Sequence, residues 1–191
     1  MIARNNHVFL GLWSILLIGC SAPPERTVLP GRATPPDREM MPQARVDYVI
    51  DGDTIIVTTR VGRSHVRLLG INAPESTRHP GCYGGQAAAE LRRLLPRGTR
   101  VLLVRDRRRV DPYSRHLGYV WRADGMFVNR ALVRRGFATT LFLPPTAEPN
   151  GRPDAEIDTG IRAELASAQD AAQRERAGLW GACVAEERGQ R

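Results

Sequence analysis

Three short strand-like segments lie close together between residues 45 and 69, and their spacing is the strongest constraint on the fold. Residues 45–50 and 64–69 alternate apolar and polar side chains, and Thr54–Thr59 is rich in β-branched residues. Turn signals at residues 51–53 and at Gly62 separate the segments. We therefore predict three strands that are separated by turns.

The remaining patterns exclude a regular alternation of strands and helices, and with it a parallel α/β fold. They predict a helix over 86–95, strands over 99–105 and 116–121, a short helix over 129–135 capped by Asn129, an extended segment over 138–143 and a helix over 159–177. Five strands with a helix between the third and fourth are typical of a small closed barrel. The predicted class is α+β, mainly β: a five-stranded OB-fold (oligonucleotide/oligosaccharide-binding) barrel with three helices.

The N-terminus is typical of an export signal. Arg4 precedes an apolar run of 11 residues, which is too short to span a bilayer comfortably. The run leads into Cys20 through a sequence, Leu-Ile-Gly-Cys, that resembles the lipobox of bacterial lipoproteins, where the cysteine carries lipid and begins the mature chain. The alternative is ordinary signal cleavage with no lipid on Cys20. Both alternatives predict export of the chain.

The domain organisation follows from composition. Residues 1–19 are the predicted signal peptide, and residues 20–44, with six of the 14 prolines, are a disordered tether. Residues 45–183 are the predicted folded domain, and residues 184–191 are a polar tail. Lipid on Cys20 would anchor the protein to the bacterial cell envelope, at the outer membrane in a cell that has two membranes.

The three cysteines are too few for a disulfide-dense miniprotein or a four-thiolate zinc site. If Cys20 carries lipid, Cys82 and Cys183 remain. An exported protein meets an oxidising compartment, so we predict a disulfide between them. The alternative is two unrelated buried thiols.

The charge of the chain favours an anionic partner. The formal net charge is +8, and all 28 basic residues are arginine. Nucleic acid and an anionic membrane are both compatible with that charge. The basic run at residues 105–109 is either a solvated face or a contact for a phosphate backbone.

Four short stretches stand out in the sequence: residues 51–54, 67–75, 111–115 and 178–180. Two carboxylates in the turn at 51–53 repel each other unless a cation or a donor lies nearby. Arg67 lies within an apolar strand, and a guanidinium matches phosphate with two parallel hydrogen bonds. Each stretch alone has an ordinary structural explanation, as a turn, an exposed arginine or a surface glutamate.

Taken together, the stretches resemble the staphylococcal-nuclease-like (thermonuclease) family over about residues 45–183. The resemblance implies an OB-fold barrel and a calcium-dependent phosphodiesterase that acts on DNA and RNA. It assigns catalytic roles to Arg67, Glu75 and Arg115. The metal ligands that it implies are Asp53, Asn72 and the backbone carbonyl of Ala73, with Asp51 beside them. It places Tyr113 in the nucleotide pocket.

Asn72 is a departure from the family, which has an aspartate at this position. An asparagine oxygen can still coordinate calcium, but the site loses one negative charge. We therefore expect weaker calcium binding or a changed metal preference, with Mg²⁺ or Mn²⁺ as alternatives.

The N-terminus predicts export and membrane tethering, and the resemblance implies a metal-dependent nuclease that releases 3′-phosphorylated products. One alternative is an OB-fold lipoprotein that binds nucleic acid without cleaving it, which Asn72 favours. Another is a structural envelope lipoprotein whose arginines contact anionic lipid. The sequence contains no oligomerisation signal, so a monomer is expected.

Overall fold

The computed structural model describes residues 43–77, 79–104, 110–142 and 159–183. The predicted signal peptide, the tether from residue 20 to 42, Cys20, the basic run at 105–109 and the polar tail lie outside these ranges. No helix in the described ranges is long and apolar enough to cross a membrane.

The described residues form seven strands and three helices of seven or more residues. The strands are β1 (Gln43–Asp51), β2 (Thr54–Thr59), β3 (Gly62–Leu68), β4 (Ile71–Asn72), β5 (Arg100–Val104), β6 (His116–Arg122) and β7 (Thr139–Thr140). The helices are α1 (Gly84–Leu94), α2 (Val128–Arg134) and α3 (Thr159–Arg174), and a short helical segment covers residues 179–183.

Five strands close a barrel in the order β1-β2-β3-β6-β5, which confirms the predicted architecture. The pairs within it are antiparallel except β3 with β6, which run parallel. The pattern did not predict β4, which pairs with β7 as a separate two-stranded ribbon in which Asn72 lies opposite Thr139. A two-residue strand is too short to show a period, so only the pairing reveals it.

The core fills the barrel because β2 and β3 alternate strictly at their centres. Ile55 and Val57 of β2 and Val66 and Leu68 of β3 are almost wholly buried. The residues between them point to the outer face of the sheet, as the two-residue period of a strand requires. That outer face includes Arg67, which is why an arginine can lie within an apolar segment.

The prediction that Asn129 caps a helix was wrong. Phe127 occupies the cap position of α2, and Asn129 is fully buried in the first turn of the helix. Its Oδ1 accepts the N–H of Val120 at 2.9 Å, and its Nδ2 donates to the carbonyl of Leu69 at 2.8 Å. The buried amide therefore joins the chain after β3 to β6 through one backbone donor and one backbone acceptor.

The predicted disulfide is present. Cys82 and Cys183 are bonded, with their Cα atoms 5.8 Å apart and a sequence separation of 101 positions. The bond joins the loop between β4 and α1 to the short helical segment at the C-terminal end of the described chain. This loop begins beside Glu75, so the disulfide restrains the segment that carries a predicted catalytic residue.

The same loop packs tightly against the start of α1. The N–H of Gly81 donates to the carbonyl of Glu75 at 2.9 Å. A Cβ atom at Gly84 would lie 1.9 Å from that same carbonyl oxygen, which is an impossible contact. The backbone at Glu75 can lie where it does only because residue 84 has no side chain.

We therefore predict that Gly84→Ala destabilises the protein by about 1–3 kcal/mol, because the new methyl group forces the loop away from α1. Gly85→Ala is the matched control, since a Cβ atom there meets nothing within 4 Å. Because alanine is the better helix former, the control should be neutral or should raise stability by up to about 1 kcal/mol. Urea unfolding of both variants measures the difference, and equal stabilities would contradict the contact.

Candidate active site

The predicted site residues meet in one cavity of about 350 Å³. It opens where the β1–β2 turn, the end of β3, the segment after β4 and the turn before β6 come together. Its lining residues are Asp51, Asp53, Arg67, Asn72, Ala73, Pro74, Glu75 and Arg115. All seven residues predicted to be catalytic or metal-binding are in this set, although they lie up to 64 positions apart in the sequence.

The guanidinium of Arg67 connects the parts of the cavity. Its Nη1 donates to the carbonyls of Leu68 and Ile71, at 2.6 and 2.9 Å. Its Nη2 lies 2.9 Å from Asp53 Oδ2 and donates to Asn72 Oδ1 at 3.0 Å. Burial lowers the pKa of Arg67, and the nearby charge of Asp53 opposes that change. An arginine nevertheless stays protonated, so the cavity keeps a buried positive charge.

Asp53 is the buried carboxylate of the cavity, at 6% exposure. Its Oδ2 accepts the N–H of Ala73 at 2.8 Å as well as the ion pair with Arg67, and its Oδ1 accepts the hydroxyl of Thr54 at 3.1 Å. Burial still raises the pKa of Asp53 to about 6, against the opposing effects of Arg67 and of the Ala73 N–H. The charged form is therefore incompletely stabilised, and the site would favour a further positive charge.

Asp51 and Gly52 shape the turn that presents Asp53. The backbone N–H of Asp53 donates to Asp51 Oδ1 at 3.1 Å, so Asp51 supports its neighbour from within the turn. A Cβ atom at Gly52 would lie 2.6 Å from the Cβ of Ala73 and 2.7 Å from the Cβ of Ala87. Only glycine therefore lets the turn pack against both Ala73 and α1.

The oxygens that converge here suit a hard cation. Asp53 supplies a carboxylate and Asn72 an amide oxygen, and the backbone of Ala73 lines the same cavity. Oxygen ligands of mixed charge are those that calcium and magnesium accept. Among the described residues no three His, Cys, Asp or Glu side chains are placed to hold a metal ion together. A cation held by Asp53 and by the neutral oxygens of Asn72 and Ala73 would also have the carboxylates of Asp51 and Glu75 in the same cavity.

Glu75 stands at the exposed side of the cavity with its carboxylate fixed. Its Oε1 accepts the N–H groups of Ser76 and Thr77, both at 2.9 Å, and the Thr77 hydroxyl at 2.7 Å. Three donors on one oxygen set the direction of the carboxylate. Together with the packing of its backbone on α1, they hold Glu75 towards the cavity.

Arg115 closes the opposite side of the cavity, and Asp111 orients it. Asp111 Oδ2 accepts Arg115 Nε at 2.7 Å, and Asp111 Oδ1 accepts the N–H groups of Tyr113 and Arg115 at 2.9 Å. Burial would raise the pKa of Asp111, but these hydrogen bonds outweigh it and lower that pKa. The aspartate therefore stays ionised and keeps the guanidinium in one orientation.

Tyr113 lies apart from the other predicted site residues. It is 80% exposed and is not among the residues that line the cavity. Its ring lies beside the guanidinium of Arg115, with 5.4 Å from Cζ to the ring centroid. The aromatic face therefore stands at the rim, next to an arginine of the cavity, where it can stack on a ligand.

Sequence reasoning missed two supporting residues, Asp111 and Thr77. An aspartate that begins a turn often accepts backbone N–H groups two or more residues later, so the position of Asp111 did carry a signal. Thr77 carried none, because a threonine in a polar loop is ordinary. Its contact with Glu75 is visible only in three dimensions.

Similarity to known proteins agrees with this geometry. The family model described as Staphylococcal nuclease homologue matches residues 65–182. Thermonuclease from Staphylococcus intermedius is 34% identical over 137 residues, which are 71% of this chain and 74% of that protein. Thermonuclease from Staphylococcus hyicus is 36% identical over 105 residues, 53% of this chain and 60% of that protein. Endonuclease YhcR from Bacillus subtilis (strain 168) is 30% identical over 162 residues, 80% of this chain but only 12% of that much longer protein. The chain belongs to the staphylococcal nuclease family.

Proposed function

We propose that this protein is a divalent-metal-dependent nuclease, with calcium as the expected ion, that hydrolyses phosphodiester bonds of DNA and RNA. The supporting observation is that Arg67, Glu75 and Arg115 line the same cavity as the oxygens of Asp53 and Asn72. Relatives that are named thermonuclease and endonuclease favour the same activity. The products that we expect carry a 3′-phosphate, from cleavage of the bond to the 5′ oxygen.

The two arginines suit the charge that develops during hydrolysis. A phosphodiester is already anionic, and attack by water places further negative charge on the oxygens around phosphorus. Arg115 lies on one side of the cavity in a fixed orientation, and Arg67 lies at its base. When a cation binds the oxygens of Asp53 and Asn72, the Nη2 of Arg67 loses these two partners and becomes available to a substrate phosphate.

Glu75 has the position and the chemistry of a general base. It accepts three hydrogen bonds that fix its carboxylate, and it lines the cavity. A glutamate held in this way can orient a water molecule and accept its proton as the water attacks phosphorus.

The oxygens of Asp53 and Asn72 and the carbonyl of Ala73 are the groups that would hold the cation. A divalent ion supplies Lewis-acid polarisation of the phosphate. The incompletely stabilised charge of Asp53 favours such an ion. In this structure Arg67 Nη2 contacts the same two ligand atoms, Asp53 Oδ2 and Asn72 Oδ1. Binding of the ion and the present contacts of Arg67 therefore compete.

Export and membrane tethering are part of the proposal. They are supported by the apolar run that ends at Cys20 and by the proline-rich residues that follow it. The disulfide between Cys82 and Cys183 is consistent with an oxidising compartment. A lipid on Cys20 would attach the nuclease domain to the membrane through the proline-rich residues that follow it.

We predict that Glu75→Gln lowers the rate of DNA cleavage by about 10²–10⁴-fold, because the amide keeps the shape of the side chain but cannot take up a proton. The measurement is cleavage of single-stranded and duplex DNA with calcium, magnesium, manganese or a chelator. Glu175→Gln is the matched control, since Glu175 is exposed and pairs with Arg134 away from the cavity.

Cleavage that requires a metal and is lost only in Glu75→Gln would support the nuclease. Wild-type rates in Glu75→Gln would refute the role of this residue. Absence of cleavage with every metal, together with retained binding of DNA, would favour the second candidate: a protein that binds nucleic acid without cleaving it. The observation that favours this candidate is Asn72, an asparagine where the family has an aspartate, which removes one negative charge from the implied ligands.

We also predict that Asn72→Asp tightens calcium binding by about tenfold, because a second carboxylate adds a charge-assisted ligand to the site. Isothermal titration with calcium measures the change. Gln173→Glu, an exposed residue of α3, adds the same charge away from the cavity and should leave calcium affinity unchanged. An unaltered affinity in Asn72→Asp would contradict the assignment of residue 72 as a ligand.

A further inference from the structure

A second depression of about 360 Å³ lies on the outer face of the barrel. Asp47, Tyr48, Arg63 and Arg97 line it, and none of them lines the cavity of the active site. Tyr48 is 56% exposed, although it belongs to a strand that otherwise buries most of its apolar side chains. An exposed tyrosine between two arginines on a pleated sheet has no evident role in packing.

The sheet register connects this depression to the active site. The pairs Asp51–Thr54 and Thr54–Arg67 form one row at the cavity, in which Thr54 is buried and Asp51 and Arg67 are partly exposed. The next outward row, two residues along, is Tyr48–Ile56–His65. The row after that is Arg45–Thr58–Arg63. From Arg67 to Arg63 the strand rises by roughly 13 Å, so the rows form a continuous path along one face.

Two features of the backbone bring Tyr48 and Arg97 together at the end of these rows that lies away from the cavity. The register shifts between Val46 and Tyr48, which turns Asp47 and Tyr48 to the same outer face. The loop before β5 pairs with β1 at Val46, through Gly98 N–H to Val46 O at 2.7 Å and Val46 N–H to Thr99 O at 3.0 Å. That pairing brings the exposed Arg97 beside Tyr48.

The charge of the depression favours an anion. Arg63 and Arg97 contribute two positive charges and Asp47 one negative charge. Asp47 is already engaged, because it accepts the Thr58 hydroxyl at 2.7 Å and pairs with Arg63 Nε at 3.3 Å. The Arg63 side chain remains 64% exposed in that pair. Exposed ion pairs of this kind contribute little to stability, so a phosphate can compete for the guanidinium.

We propose that this face is a second binding site for the substrate strand: Tyr48 stacks on a base, and Arg63 and Arg97 contact backbone phosphates, several nucleotides from the bond that is cleaved. The proposal rests on the proposed function for the identity of its ligand. A strand of the roughly 4–16 nucleotides that OB folds accommodate would reach from the cavity to this depression. The sequence-tolerant chemistry of stacking and phosphate contact suits a nuclease that accepts many sequences.

The first test is binding by the full-length chain in a chelator, which prevents metal-dependent cleavage. The probe is a fluorescent single-stranded oligothymidylate of about 20 nucleotides. Tyr48→Ala should weaken binding by about tenfold, and Tyr48→Phe should restore it, because the stacking face is retained. A merely structural role would also lower the unfolding midpoint of Tyr48→Ala, so urea unfolding is measured beside it. Unchanged binding in Tyr48→Ala, or weaker binding explained by unfolding, would overturn the proposal.

The second test is salt dependence. Replacing both Arg63 and Arg97 by alanine should lower the slope of log affinity against log salt concentration by about 1.4, since each phosphate contact on a single strand contributes about 0.7. The control replaces Arg92 and Arg174, two exposed arginines of α1 and α3, and should leave the slope unchanged. Equal slopes for the two double variants would refute the phosphate contacts.

Cleavage assays separate this proposal from the proposed function. Tyr48→Ala should raise the KM for the long strand by about tenfold, and leave both kcat and cleavage of a dinucleotide unchanged. An equal effect on the dinucleotide would overturn the second site. If the wild-type chain binds the probe through Tyr48 but cleaves no substrate with any metal, the proposed nuclease activity is refuted and the proposed second binding site is supported.

Discussion

The ion pair between Arg67 and Asp53 is the interaction on which the rest of the site depends. Arg67 reaches the cavity from β3 and holds two backbone carbonyls, the amide of Asn72 and the carboxylate of Asp53 at once. Removing either charge would leave the other without its counter-charge, and breaking a buried ion pair in this way costs about 3–5 kcal/mol in proteins. One side chain therefore fixes the chain between β3 and β4 and the β1–β2 turn together.

The β1–β2 turn and the loop that begins at Glu75 are positioned by residues that do not themselves line the cavity. Gly52 lets the turn that carries Asp53 pack against Ala73 and α1. Gly84 and the disulfide of Cys82 restrain the loop that begins at Glu75. In each case the residue that faces the cavity is oriented by a neighbour that does not, which is the arrangement that preorganised sites require. The barrel supports the cavity from below, and these local contacts orient the side chains that line it.

Strand period and turn chemistry are local, and they were enough to predict the barrel. The residues of the cavity were predicted from the resemblance to the staphylococcal nuclease family, because no local pattern singles them out. Sequence alone did not predict contacts that depend on the folded chain. Asn129 follows the pattern of a helix cap, but tertiary packing buries its amide between Leu69 and Val120. The ribbon that carries Asn72 has only two residues in each strand, so no alternation of apolar and polar residues can predict it. No sequence pattern predicts the hydrogen bond from Thr77 to Glu75.

The most direct test of the central role of Arg67 is the cleavage rate of Arg67→Lys at saturating DNA and calcium. Lysine keeps the charge but not the planar fork that reaches four acceptors, so we expect a folded protein whose rate falls by at least about 100-fold. Arg92→Lys, an exposed change on α1, should cleave as the wild type does. A rate for Arg67→Lys within a few-fold of the wild type would show that charge alone suffices, and would contradict the organisation described for this site.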